Sequence, residues 1–245
     1  MKEIRSIKKE KNANGKTDRN KSVIITDDDI YYLLNNKNSL TKIVYERLIS
    51  MFLNNELVPG QIFNRQQLAD NLGVSVAPVL EAMVQLENDG FIESIPRKGT
   101  LVRSIRDQDI YERLYLRGAL ECAAARLYTG LPIRQNKDEL LAYAEKIDGD
   151  ELYSIVQMKN EVIFHASLVN LAGISILTRE FLRASRIGMF SLANRANFFK
   201  EKKFQNHKEL VIKLSKAEPD DAEKIIRKHI WSGNPMLSQN NPVQK

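Results

Sequence analysis

The chain has 245 residues, 43% of them hydrophobic and 28% charged, the balance of a soluble globular protein with enough length to bury a core. Its one cysteine, Cys122, excludes a disulfide framework and a cysteine-built zinc cage within one chain. No run of eighteen apolar residues is present and the N-terminus lacks the apolar core of a signal peptide, so the expectation is a cytoplasmic protein with no membrane partner.

The net charge of +6 invites a nucleic-acid reading, but its distribution does not support one. Residues 1–21 hold eight Lys/Arg against Glu3, Glu10 and Asp18, which accounts for most of the excess. This polar, aromatic-free stretch reads as a disordered basic tail, extended to residue 30 as a domain boundary. Residues 39–104 carry six Lys/Arg and seven Asp/Glu, so any DNA-binding argument there must come from pattern.

After the tail, Ser39 is placed to cap a helix running to about Leu53, with Ile43, Val44, Arg47, Leu48, Met51 and Phe52 on one stripe. Val58-Pro59-Gly60 makes a turn. A second helix fits Arg65 to Leu72, closed by Gly73 in the left-handed conformation. Ser75 caps a third, with Pro78 tolerated in its first turn, running through Val79, Met83 and Leu86 to Asp89-Gly90. Phe91–Ile95, the turn Pro96-Arg97-Lys98-Gly99 and Thr100–Val102 read as strand, turn, strand. Residues 31–104 are therefore predicted to form a winged helix-turn-helix.

From about Asp107 to Trp231 the signal is helical throughout. Breaks near Gly130-Leu131-Pro132, Asp148-Gly149, Gly173, Phe198–Lys203 and Glu218-Pro219 predict helices over 107–128, 135–147, 150–171, 174–197, 202–217 and 219–232. The fold class is mainly α: an N-terminal winged helix-turn-helix, then an all-α bundle of six or seven helices over residues 105–245.

The first domain resembles the GntR family of bacterial transcription regulators. The resemblance rests on Val58-Pro59-Gly60-Gln61, Leu68-Ala69-Asp70-Asn71-Leu72-Gly73-Val74-Ser75, Ala77-Pro78-Val79, Glu81-Ala82, Leu86, Asp89-Gly90-Phe91-Ile92 and the wing Pro96–Val102. It implies a homodimer on a palindromic double-stranded DNA operator, with the third helix in the major groove and the wing on the minor groove or backbone. The candidate DNA contacts are Arg65, Gln66, Ser75, Ala77, Arg97, Lys98, Gly99 and Thr100. The chain departs from the family pattern at Val76 and Leu80, where arginine is usual.

The helical half is similar to the ligand-sensing (FCD-type) domain of the FadR subgroup. Arg117 and Glu121 match its Arg-x-x-x-Glu helix, Phe164-His165 with Ala172-Gly173 its second part, and His207 and His229 its later histidines. Glu161 stands where the family has Asp, and Ile174 where it commonly has Asn. All three histidines of the chain thus sit at positions where the resemblance implies metal ligands. Glu161 and His165, at i and i+4, project from one helix face, and two later helices of a bundle can bring His207 and His229 to the same point. Three imidazoles and a carboxylate suit a divalent ion: zinc first, with nickel, iron or manganese also fitting. Arg117, among Leu114, Leu116 and Leu120, reads either as a guanidinium for the carboxylate of a small organic-acid effector or as an internal partner of Glu121. Tyr115, Tyr153 and Arg186 are further candidates for a cavity lining.

The function implied is a metal-dependent, ligand-responsive transcription regulator and not an enzyme. Two other classes compete: a sensor or interaction module with a weakened DNA-binding head, and a His/Glu metalloenzyme, which lacks a further histidine for acid–base work.

Overall fold

Two apolar clusters organise the chain, and Ile105 packs against both. The structure, a computed structural model, describes residues 22–26, 29–30, 39–149, 155–193 and 206–233.

The N-terminal cluster is built by α1 (Ser39–Leu53), β1 (Ile62–Phe63), α2 (Arg65–Leu72), α3 (Val76–Asn88), β2 (Ile92–Ile95) and β3 (Gly99–Val102). Helix α1 buries Val44, Tyr45, Leu48 and Phe52, so its inward face is rotated from the predicted stripe: Tyr45 is inside and Arg47 is exposed. Phe52 stacks on Phe91 with centroids 5.8 Å apart. Asn64, a cap that the sequence reading missed, accepts from the Gln66 N–H at 2.7 Å and starts α2. Gly73 ends α2 at φ 66°, as predicted. Helix α3 buries Pro78, Val79, Ala82, Met83 and Leu86. Pro78 fits because it lies in the first turn, where a backbone N–H would have no intrahelical acceptor.

Strands β2 and β3 form the predicted hairpin, pairing Ile92 with Val102 and Ile95 with Gly99. A third strand, too short to leave a periodic signal, pairs Ile62 with Leu101 and makes β3 the middle of a β1-β3-β2 sheet. At the wing, Arg97 has φ 64° and Gly99 φ 116°. A Cβ on Gly99 would come to 3.0 Å from the Phe63 carbonyl oxygen, so the close approach of β1 requires glycine there.

The helical half comprises α4 (Asp107–Tyr128), α5 (Leu131–Gln135), α6 (Lys137–Asp148), α7 (Ile155–Asn170), α8 (Ser175–Ala193), α9 (His207–Leu214) and α10 (Pro219–Gly233). Helix α4 is central and packs against α7, α8 and α10. Its small residues Gly118, Cys122, Ala124 and Ala125 are all buried, which lets neighbouring helices approach closely. Gly130-Leu131-Pro132, predicted as a break, contains the start of the short helix α5, because Pro132 occupies a first-turn position that needs no N–H donor. Helix α9 starts at His207, capped by Asn206, which accepts from the Glu209 N–H at 2.6 Å, and the predicted start at 202 lies outside the described residues. The predicted break at Asp148-Gly149 is where α6 ends, while the predicted helical start over 150–154 and the predicted break over 198–203 lie outside the described residues.

The predicted tail boundary at residue 30 is also corrected. Ile25 is buried in the helical core, and its N–H donates to Ser167 Oγ at 3.0 Å. The Val23 N–H donates to Glu139 at 3.1 Å. Val23, Ile24 and Ile25 are the first apolar run after the basic stretch, and their burial outweighs the ordering cost that a polar segment could not offset.

Candidate metal centre and DNA-reading face

The three histidines converge. His165 projects from α7, His207 opens α9 and His229 lies in α10, with ring centroids 5.1 to 5.7 Å apart. One nitrogen from each lies within 4.8 Å of the other two. His165 and His207 are buried and His229 is half-buried, with Phe164 packed edge-on against His165 and His207.

Two carboxylates orient the rings. Glu121, on α4, meets His165 Nδ1 at 2.5 Å. Asp148, the last residue of α6, accepts from His207 Nδ1 at 2.7 Å, and its two oxygens also take the backbone N–H groups of His207 and Lys208 at 3.1 and 3.0 Å. Asp148 thereby caps α9 and fixes the imidazole in one stroke. With Nδ1 carrying the proton, Nε2 of each ring keeps its lone pair. His207 Nε2 is buried with no hydrogen-bond partner, a costly arrangement unless another group takes it.

The electrostatics favour a neutral His165 and ionised orienting carboxylates. Burial lowers the His165 pKa, against the pull of Glu121. Burial alone would raise Glu121, but His165 and Arg117 hold it below its ordinary value. Burial also opposes ionisation of Asp148, and the hydrogen bonds from His207 and Lys208 outweigh it. A neutral His165 and a buried, unpartnered Nε2 on His207 are what a divalent ion requires of its ligands, so the residues fit one.

Glu161, predicted as the carboxylate ligand, lies outside the group of mutually close ligand atoms. It is half-buried and engaged in other interactions, one turn from His165 on α7. Helical spacing put it on the right face but could not put its carboxylate at the point where three helices meet. Glu121, which the sequence offered only as part of a motif, and Asp148, which it did not offer, are the carboxylates that touch the cluster, through His165 and His207.

Arg117 realises the internal reading. Its Nε donates to Glu121 Oε1 at 2.8 Å and its guanidinium lies over the Phe181 ring, 5.3 Å from the centroid. It is thus one residue removed from His165. Tyr115 is 46% exposed and faces Trp231, while Arg186 turns toward the other domain; Tyr153 lies outside the described residues.

On the winged domain, Arg65, Gln66, Ser75, Ala77, Arg97 and Lys98 are exposed and Gly99 is half-buried. Gln66 Nε2 donates to Asp70 at 3.1 Å, so its amide is partly committed within α2. Ser75 stands at the N-cap of α3 without a side-chain capping bond, leaving its hydroxyl at the positive end of the helix. Thr100, predicted as a contact, is buried: alternation along the middle strand β3 turns it inward with Val102. Arg65, Leu80, Val84, Arg97 and Lys98 border a groove of about 490 Å³ between α3 and the wing. Val76, at a position usually arginine, packs against the domain core.

Residues 40–102 match the family model of bacterial regulatory proteins, gntR family. Among similar proteins, a probable D-xylose utilization operon transcriptional repressor of Paenarthrobacter nicotinovorans is 25% identical over 222 residues, 82% of this chain and 92% of that one. An uncharacterized HTH-type transcriptional regulator in an unstable DNA locus of Streptomyces ambofaciens is 24% identical, covering 76% of this chain and 80% of its own. The fold is also that of Escherichia coli McbR/YncC, which superposes with a TM-score of 0.56 at 19% identity over 83% of this chain and 99% of that one. Among the described residues no helix is long and apolar enough to cross a membrane. Residues 40–102 therefore match the DNA-binding domain of bacterial regulatory proteins of the gntR family, and the relatives similar to this chain over most of its length are transcriptional regulators.

Proposed function

We propose that the protein is a metal-dependent, ligand-responsive regulator that binds a palindromic operator as a homodimer, and that its helical half is an FCD-type sensor of the FadR subgroup. The observation that carries the reading is the meeting of His165, His207 and His229 from three helices, two of them oriented by buried or half-buried carboxylates. His165, His207 and His229 would hold the ion, zinc first, and a bound ion supplies an electrophilic anchor for the carboxylate of a small organic acid. Arg117 would act beside it, exchanging part of its pairing with Glu121 for the effector.

The route by which such an exchange reaches DNA follows packed side chains. Arg117 rests on Phe181 of α8, and Arg186 on the same helix ion-pairs with Asp89 at the end of α3. A movement of α8 on effector binding would shift the orientation of the reading head.

The test has two arms. Metal analysis with a melting screen of small carboxylic acids should find about one divalent ion per chain and a stabilising acid, because a ligand of the native state raises its stability by mass action. Operator selection with protein lacking residues 1–21 should recover a palindrome, and Arg97→Ala with Lys98→Ala should weaken its binding more than any single change in α3. Absence of bound metal at full folding overturns the sensor reading. A second reading, a sensor whose DNA head is weakened, is favoured by α3 itself, whose sequence VAPVLEAMVQLEN contains no basic residue; no preference for any sequence over random duplex would establish it.

A further inference from the structure

The solvent face of α3 is apolar. Leu80 is 37% exposed and Val84 56% exposed, and Ala77 is exposed on the same side. Positions 77, 80 and 84 follow the i, i+3, i+7 spacing that forms one stripe along a helix. The opposite face is fully used by the core through Val79, Ala82, Met83 and Leu86, so this stripe has no role in holding the domain together.

Its surroundings are those of a duplex-binding face. Exposed Arg65, Arg97 and Lys98 flank the stripe, placed for phosphates on either side of a groove. The two acidic side chains of α3 are committed elsewhere: Glu81 accepts from Thr41 Oγ1 at 3.0 Å, and Glu87 takes the Ser94 N–H and hydroxyl at 2.7 and 3.1 Å. Cations at the rim and an uncharged, apolar centre describe a surface that anchors on a backbone and touches something apolar between its strands. In the major groove, the apolar feature of a base-pair edge is the thymine C5-methyl.

Resting on the DNA-binding reading above, we propose that Ala77, Leu80 and Val84 are the specificity-determining residues of α3 and read a short run of thymine methyl groups, so the operator half-site is A·T-rich where α3 lies. The span from Ala77 to Val84 is about 10 Å at 1.5 Å per residue, which covers roughly three base steps of 3.4 Å. With no Arg or Lys on α3, bidentate recognition of guanine from this helix is absent, and methyl contact replaces it.

The experiment selects binding sites for the full chain from a random duplex pool and then replaces thymine by uracil, which removes only the methyl, one position at a time. Affinity is expected to fall three- to fivefold at two or three adjacent positions of each half-site, the size of burying one methyl, and to stay constant elsewhere. Leu80→Ala and Val84→Ala, both at exposed positions, should each bring the thymine-to-uracil ratio toward one at a single position while leaving the melting temperature unchanged. Equal affinity for thymine and uracil everywhere, or selected half-sites specified by G·C pairs, would overturn the proposal while leaving operator binding intact. Enrichment of no sequence would overturn operator binding itself. Variants that alter self-association but not DNA affinity would make the stripe a protein-docking face, and that too would overturn it.

Discussion

Arg186 of α8 donates to Asp89 at 2.9 Å across the boundary between the helical half and the winged domain. The same nitrogen lies 2.9 Å from the Tyr45 hydroxyl, which itself donates to Asp89 at 2.7 Å, and the guanidinium stacks 4.7 Å over the Tyr45 ring. Tyr45 and Asp89 are buried, and Arg186 is largely so. Burial pushes the Tyr45 hydroxyl well above its ordinary pKa despite the nearby guanidinium, so it remains a donor throughout the neutral range. The three groups satisfy one another at an interface where any one left alone would be an unpaired polar group.

Arg186→Met should therefore cost more than Arg186→Met combined with Asp89→Asn. The single change strands a buried carboxylate and should destabilise by roughly 3 kcal/mol, whereas the pair removes the charge on both sides. Urea unfolding of the four proteins of the cycle measures the coupling; additive effects would mean the contact does not join the domains energetically.

Asp148→Asn and Glu121→Gln should each weaken metal affinity about 10- to 100-fold, because they free the ring orientation of His207 and His165. His207→Ala should lower metal occupancy and melting temperature together, since the site ties three helices to one point. Glu161→Gln should change affinity far less than either orienting carboxylate. Competition against a zinc chelator reads all four; a loss at Glu161→Gln equal to that at His207→Ala would restore Glu161 as a ligand.

Arg117→Ala should abolish the calorimetric response to a carboxylate effector and retain bound metal. It should also cost stability, about 3 kcal/mol, by leaving the buried Glu121 with His165 alone. Arg117→Lys keeps the charge without the fork, so restored stability with no effector response would separate the two roles.

Gly118→Ala sets two magnitudes against each other. Alanine gains about 1 kcal/mol in helix propensity. The added Cβ, however, would meet the Trp231 ring at 2.6 and 2.8 Å, and overpacking of this kind costs roughly 1–3 kcal/mol. Net destabilisation is expected, with a changed emission from Trp231, the single tryptophan.

Burial pushes the Cys122 thiol up to about 11. At pH 8 on the order of one thiol in a thousand is then ionised in the native protein, against about a quarter at an unperturbed pKa of 8.5. A thiol reagent should leave native protein unlabelled and react at once in denaturant. Because the native pKa is raised, rising pH above about 8.5 ionises the unfolded thiol first and lowers stability through this group until about pH 11. Labelling of native protein at the unfolded rate would refute both statements.

How far the sequence reached depended on whether a feature is local. Caps, turn glycines and hydrophobic period are set within a few residues, so Gly73, Ser75, the β2–β3 hairpin and the limits of α4 were legible as written. Strand β1 was not, because two residues have no period and exist as a strand only through pairing with β3. Thr100 was misplaced because which face of β3 turns inward is set by packing, and alternation puts it inside with Val102. The convergence of His165, His207 and His229 was anticipated from a family resemblance, whereas the carboxylates that orient two of them were not. Helical spacing specifies a direction from one axis, which put Glu161 and His165 on one face. Only the packing of α4, α6, α7, α9 and α10 decides which carboxylate reaches which ring, because those distances depend on residues far apart in the chain that no local pattern relates. The Arg186–Asp89 pair, 97 residues apart, belongs wholly to that second kind.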